Sequence, residues 1–272
     1  MGNTQRRAVI IGINEYENAN RLAGCVRDAS ELAEVLSIEE YGYESVLLVD
    51  EAATRRDCLE ELWGAAETDG ASLIIYFAGH GGLHGKSGYL HTHDGVARDP
   101  GIDLQTLAEI SAVASGHYDH VLTILDACHS GAGDTWSGHS PLTASAVSAA
   151  IQSVNSSRLL LAACRPEQVA FETSGPDIHG EFTRVLLDAL LGGAVDFDGN
   201  VTAHTLFDVV TGRMDTERQT PVFKGDSAGS VVLGRGFEPR IGEPLRPQAT
   251  AALLAKGEQF LDEYQLLQSG EL

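Results

Sequence analysis

A chain of 272 residues, 43% of them hydrophobic, is long enough for one large α/β domain with a substantial core. Its formal charge of −21 argues against a phosphate-neutralising surface, so nucleic-acid binding is not expected. No apolar run reaches 18 residues, so no membrane span is expected either. Cys25, Cys58, Cys128 and Cys164 are scattered without CxxC pairing. That spacing argues against a disulfide framework and for a reducing, cytoplasmic compartment. The opening MGNTQRRAVIIGI lacks a signal-peptide pattern, and Arg6 stands where myristoylation after Gly2 needs Ser or Thr.

In chain order, residues 7–13 read as a first strand, apolar enough to be covered on both faces. Residues 14–22 read as a loop and 28–37 as a helix with Ala29, Leu32, Ala33, Val35 and Leu36 inward. A strand is expected at 45–49. Thr54 then caps a helix, with Asp57 as a weak capping-box acid. A third strand runs over 72–78. Residues 79–99 are rich in Gly and His and read as loop, with a short hairpin at 89–93. A helix at 103–114 leads to a fourth strand at 121–125. Residues 131–157 are low in charge and rich in Ser, Ala and Gly, and read as a long linker with one helical turn near 144–151. A fifth strand at 159–163 precedes helices at 180–191 and 202–214. Either 221–223 or 230–233 supplies a last edge strand. Strands alternating with helices imply a mainly parallel sheet covered on both faces. Residues 236–247 hold three prolines and read as a linker to an amphipathic helix at 249–267.

Two of these strands end alike. Residues 72–82, SLIIYFAGHGG, climb to His80, and residues 121–131, VLTILDACHSG, climb to Cys128. Chemistry in open α/β sheets collects at such carboxyl ends. A nucleophilic Cys with its His about 50 residues upstream is the caspase spacing. The chain resembles the caspase-like cysteine peptidases (clan CD, family C14), in the metacaspase and prokaryotic orthocaspase branch. The resemblance extends to Gly24-Cys25-Val26-Arg27-Asp28-Ala29, Gly180-Glu181-Phe182-Thr183 and Gln219-Thr220-Pro221, in the expected order. It implies a three-layer α/β/α sandwich around a sheet of about six strands, mostly parallel with one antiparallel edge. It also implies a peptidase domain over 1–235, divided into a p20-like part at 6–131, a linker at 132–157 and a p10-like part at 158–235. The linker 236–247 and a helical tail at 248–272 follow.

The proposed nucleophile is Cys128, whose thiol needs a lowered pKa or a nearby base. His80 supplies that partner and later protonates the leaving amine. Standing alone, Cys128 would read as a buried core cysteine. The resemblance implies an oxyanion hole from the backbone N–H groups of Gly81 and Cys128, and no third acid. Asp126 lies two residues before Cys128 and so shares its side of the strand end. True caspases carry Gln there and read an acidic P1 residue; a carboxylate would instead pair with Arg or Lys. Asp28 matches the second metacaspase carboxylate of this S1 pocket, although a helix N-terminal acid is its plain alternative. Ala78 replaces a Ser that metacaspases often carry two residues before the His. Cys25, Cys58 and Cys164 read as packing.

His84, His91, His93 and His129 surround His80 in sequence, but without HExxH or another recognised spacing, so no metal ligand is assigned. No cofactor is implied, and calcium dependence, known among metacaspases, stays open, with carboxylates at 94–103 and 196–198 but no EF-hand spacing. Residues 131–157 contain no Lys or Arg, so an enzyme specific for those residues could not cut itself there. The candidate cleavage sites are Lys86, Arg98, Arg235, Arg240 and Arg246. The expected activity is endoproteolysis after Arg or Lys in a regulated protease of bacterial stress, cell death or antiviral defence. Its expected partners are protein substrates with basic P1 residues and an upstream activating protease or regulator. The alternatives are a caspase-fold scaffold without turnover and, less favoured, a metal hydrolase.

Overall fold

The computed structural model describes residues 4–85, 87–127, 139–142, 158–163, 179–214, 221–225 and 230–238. Five strands run parallel: β1 (Arg6–Gly12), β2 (Tyr43–Val49), β3 (Gly70–Ala78), β7 (Tyr118–Asp126) and β9 (Arg158–Ala163). A sixth, β11 (Pro221–Lys224), closes one edge antiparallel to β9. The order across the sheet is β11-β9-β7-β3-β1-β2, with β2 at the other edge.

Side chains alternate between the two faces of a strand. Ile10, Ile74, Tyr76, Leu122 and Ile124 therefore share one core with α1 (Cys25–Ser37), α4 (Glu181–Asp188) and α5 (Ala203–Arg213). Val9, Ile11, Ile75, Phe77, Val121 and Leu125 share the other with α2 (Arg55–Ala66) and α3 (Leu104–Ala114). Both faces are covered, which is why the strands read as unbroken apolar runs. Each such buried side chain contributes roughly 1.5–3 kcal/mol of transfer free energy.

The helices start where the sequence offers acceptors. Thr54 Oγ1 accepts the Asp57 N–H at 3.1 Å, and Asp103 Oδ1 accepts that of Thr106 at 2.9 Å. Helix α1 begins three residues earlier than expected. Its cap is remote: Asn14 Oδ1 accepts the N–H groups of Cys25 and Val26 at 2.9 and 3.4 Å. Helix α4 is shorter than expected and passes into a π turn, Ala189–Gly193, where Gly192 takes φ 120°. Thr202 is the cap of α5 rather than part of it.

Residues 79–99, expected as loop with a short hairpin, are mostly sheet. Strands β4 (Gly81–His84), β5 (Ser87–Val96) and β6 (Asp99–Asp103) pair antiparallel, and β8 (His139–Pro141), inside the expected linker, joins β4. The reason is compositional. Leu90, His91 and Thr92 are buried, but glycines replace the apolar run that marks a strand. Gly101 permits the tightest approach: at φ 147°, a Cβ there would stand 2.3 Å from the Leu90 carbonyl oxygen. The two alternatives for the last strand separate cleanly. Residues 221–224 form the sheet edge, whereas β12 (Val232–Arg235) pairs with β10 (Asn200–Thr202) away from it. The expected helices at 144–151 and 249–267 lie outside the described residues. No described helix is long and apolar enough to cross a membrane.

Candidate active site

Strands β3 and β7 are neighbours in register, and Ala78 and Asp126 are their last paired residues. The Gly79 N–H still reaches the Asp126 carbonyl at 3.3 Å. His80 follows Ala78 by two positions, as Cys128 follows Asp126 in sequence. Cys128, with His129 and Ser130, lies outside the described residues. The chain leading to it is tightly placed, since a Cβ on Gly81 would meet both Ala127 Cβ and the Ala127 carbonyl at 3.1 Å. Gly81 thus passes against the residue preceding Cys128, and any side chain there would push the two strand ends apart.

His80 is buried, with 1% of its surface exposed. Its Nε2 lies 2.7 Å from the Asn20 carbonyl oxygen, and its backbone N–H donates to Tyr16 Oη at 2.8 Å. The Tyr16 ring packs on the imidazole at 4.7 Å between centroids. A carbonyl only accepts, so Nε2 carries a hydrogen in this contact. The loop that supplies Asn20 and Tyr16 is itself pinned. Asp50 Oδ1 accepts the N–H groups of Asn14 and Glu15 at 2.8 and 2.9 Å, and Asp50 adopts φ 44° to do so. A side chain in that left-handed region costs roughly 1–3 kcal/mol. His93 Nδ1 donates to the Glu15 carbonyl at 2.7 Å, which ties this side chain to the same loop. Among the described residues, no three His, Cys, Asp or Glu side chains gather into a metal site.

The two carboxylates assigned to S1 do meet. Asp28 turns inward from the first turn of α1 and is 1% exposed. Its Oδ1 pairs with His179 Nδ1 at 2.7 Å, and its Oδ2 accepts the Gly180 N–H at 2.9 Å. Asp126 Oδ2 accepts from Thr183 Oγ1 at 2.6 Å, and Tyr76 Oη in turn lies 2.7 Å from Thr183 Oγ1. Gly180 stands between the carboxylates: a Cβ there would be 2.7 Å from Asp126 Oδ2 and 3.1 Å from Asp28 Oδ2. Burial first, and the neighbouring Asp28 charge second, push the Asp126 carboxyl up to about 7. Burial also raises Asp28, against the hydrogen bonds from His179 and Gly180. Two acids that resist ionisation side by side make a site that gains by receiving a cation.

His179, Thr183 and Tyr76 are the pocket residues that sequence reasoning missed. The stretch Gly180–Thr183 was legible as a landmark, and His179 adjoins it. Ala78 is buried on the pocket side of the sheet. Cys25 is half-buried, and Cys58 is buried with its thiol pushed up to about 12 by burial, an inert state. Cys164 lies outside the described residues. Of the candidate cleavage sites, Arg98 is exposed in the turn between β5 and β6. Arg235 is exposed too, but its N–H is bonded to the Glu40 carbonyl at 2.9 Å and it pairs with Asn200, which denies a protease an extended strand. Lys86, Arg240 and Arg246 lie outside the described residues.

The chain is 38% identical over 91 residues to Metacaspase-1 of Cryptococcus neoformans var. neoformans serotype D, covering 29% of this chain and 19% of that protein. It is 28% identical over 147 residues to Metacaspase-1 of Saccharomyces cerevisiae, covering 47% of this chain and 34% of that protein. The match therefore spans about a third of one of these relatives and about a fifth of the other. Among solved structures, caspase-1 of Spodoptera frugiperda aligns with TM-score 0.61 and 15% identity over 86% of this chain and 92% of that one. Protein GSU0716 of Geobacter sulfurreducens aligns with TM-score 0.61 and 18% identity over 88% and 100%. At such identities these two likenesses speak for the fold alone. The caspase-domain model of peptidase family C14 matches residues 5–231, which takes in both strand ends, the carboxylate pair and the antiparallel edge. The chain thus belongs to the caspase-domain family of cysteine peptidases.

Proposed function

We propose that this chain is a cysteine endopeptidase that cleaves proteins after Arg or Lys through a Cys128–His80 dyad. The observation that carries the reading is the commitment of His80 Nε2 to the Asn20 carbonyl, at the end of β3, whose neighbour β7 leads in sequence to Cys128. That contact fixes the tautomer in which Nδ1 takes up the thiol proton. The thiolate attacks the scissile carbonyl carbon, and the backbone N–H groups of Gly81 and Cys128 receive the developing oxyanion. The Nδ1 proton then passes to the departing amine. Water, deprotonated by the same nitrogen, releases the acyl group from sulfur. Asp126 and Asp28 supply the negative charge that selects a basic P1 side chain and repels an acidic one.

The scattered cysteines support a reducing, cytoplasmic setting, and protein substrates with basic P1 residues are the expected partners. The linker at 132–157 carries no Lys or Arg, so the p20-like and p10-like parts stay in one chain unless another protease acts. A regulated role in bacterial stress, cell death or antiviral defence follows from the family setting only.

The test is cleavage of paired fluorogenic peptides, one with P1 Arg and one with P1 Asp, by wild type and Cys128→Ala, with and without calcium. Cleavage after Arg that disappears in Cys128→Ala is expected. Cleavage after Asp, or cleavage that survives in Cys128→Ala, would overturn the reading.

A further inference from the structure

The two carboxylates of the pocket are held in unlike ways. Asp126 keeps part of its surface open and is bonded to a neutral hydroxyl, that of Thr183. Asp28 is buried, and both its oxygens are engaged by one dipeptide, His179-Gly180. That dipeptide is packed in place from the far side: a Cβ on Gly24 would stand 3.3 Å from both the Gly180 nitrogen and the His179 Cα. The second ring nitrogen of His179, Nε2, faces Glu31 at 3.6 Å, and Glu31 is itself bonded to Arg27 Nε at 2.8 Å. Among the described residues, the charged and titratable groups that face His179 include Asp28 and Glu31 from α1, with Arg27 bonded to Glu31. Asp126 from β7 and Tyr76 from β3 lie beyond Gly180, and Glu181 is on its own helix.

We propose that His179 is a specificity-determining residue of this pocket: it takes Asp28 as its own partner and leaves Asp126 as the carboxylate that meets a P1 cation. The inference rests on the Arg/Lys reading above. An imidazole already bonded to a buried carboxylate occupies the direction from which a substrate nitrogen would approach it. A single partly open carboxylate then faces the entering side chain. One carboxylate can accept two parallel N–H groups from a guanidinium but only one from an ammonium, so this arrangement favours Arg over Lys. Removing His179 would return Asp28 to the pocket and make the two acids comparable.

The experiment uses benzamidine, an aromatic amidinium that needs no turnover, with the full chain and calorimetry at pH 8. Asp126→Asn is expected to weaken binding by about 30-fold or more, as for loss of a direct charged partner. Asp28→Asn is expected to weaken it by about fivefold, the effect of a charge one step removed. His179→Gln, whose amide keeps a donor toward Asp28, should preserve that ranking. In a His179→Ala background, Asp28→Asn should cost as much as Asp126→Asn, a coupling that simple loss of packing would not produce. If His179→Ala does not fold, the rankings in wild type and His179→Gln still decide. Equal losses from Asp28→Asn and Asp126→Asn in the wild-type background would overturn the assignment of His179 while leaving the pocket. Absence of benzamidine binding to wild type would overturn the pocket reading and the inference together.

Discussion

The His80 side of the site and the carboxylate side are built from opposite materials. Around His80, hydrogen bonds each join one side chain to one backbone group through a pinned loop: Asp50 to the N–H groups of Asn14 and Glu15, Tyr16 to the His80 amide, the His80 ring to the Asn20 carbonyl. Around Asp28 and Asp126, buried charges are balanced against each other by side chains far apart in sequence. The first construction fixes a direction in space. The second stores unfavourable electrostatics that a substrate relieves. On the proposed function, reactivity rests on geometry, and selectivity on a charge imbalance.

Substitutions can break the two sides separately. The largest effect is expected from His80→Ala, which removes the proton carrier. The kcat for a P1 Arg peptide should fall by about a thousandfold or more, with benzamidine affinity unchanged. Gly180→Ala attacks the other side. Its methyl would enter the gap between the carboxylates, and kcat/KM should fall by about 30-fold, mostly through KM. Circular dichroism should show the fold retained. A pH profile sharpens the contrast. Asp126 is protonated below about 7, so kcat/KM for P1 Arg should drop as pH falls through 7, approaching tenfold per pH unit. Benzamidine binding should release a proton in that range, measurable as a buffer-dependent heat. A pH-independent heat would sink the assignment. Asp50→Ala loosens the loop behind His80; kcat should drop by about tenfold with KM held, and Asp50→Asn, which keeps an acceptor, should recover most of it.

The smallest expected effect is on stability. The folded state holds the Asp126 proton up to about pH 7, whereas an unfolded chain releases it near the ordinary value of 3.8. The ionised pocket therefore costs stability progressively as pH rises from 3.8 toward 7, and fully above it. Asp126→Asn abolishes the cost. Each tenfold step in an ionisation constant is worth about 1.4 kcal/mol. Asp126 keeps some contact with water, so a gain of about 2 kcal/mol at pH 8 and none at pH 3 is expected from denaturant unfolding. Equal stability of the two proteins at pH 8 would contradict the strained-pocket description.

Much of this was readable before any coordinates. The central strands declared themselves because burial on both faces demands unbroken apolar runs, as in residues 72–78 and 121–125. The cap Thr54 declared its helix through local chemistry, whereas Asp103, read as the first helical residue, is the cap of α3. The start of α1 did not declare itself, since its cap is Asn14, across a loop. The antiparallel strands β4–β6 were hidden because glycine and histidine stand where Val or Ile would advertise a strand. Asp28 and Asp126 were legible as a pair by resemblance. Their partners were not, because His179 meets Asp28 across 151 positions and Thr183 meets Asp126 across 57. No periodicity reports a contact at that range.

The central sheet also ignores the division of the chain into two parts. Strand β9 lies beside β7 through five registered pairs, from Val121 with Arg158 to Leu125 with Ala162, and β11 lies beside β9. None of these pairs involves residues 143–157, so a single nick there would break no rung of this ladder. The two pieces would elute as one particle and part only in denaturant.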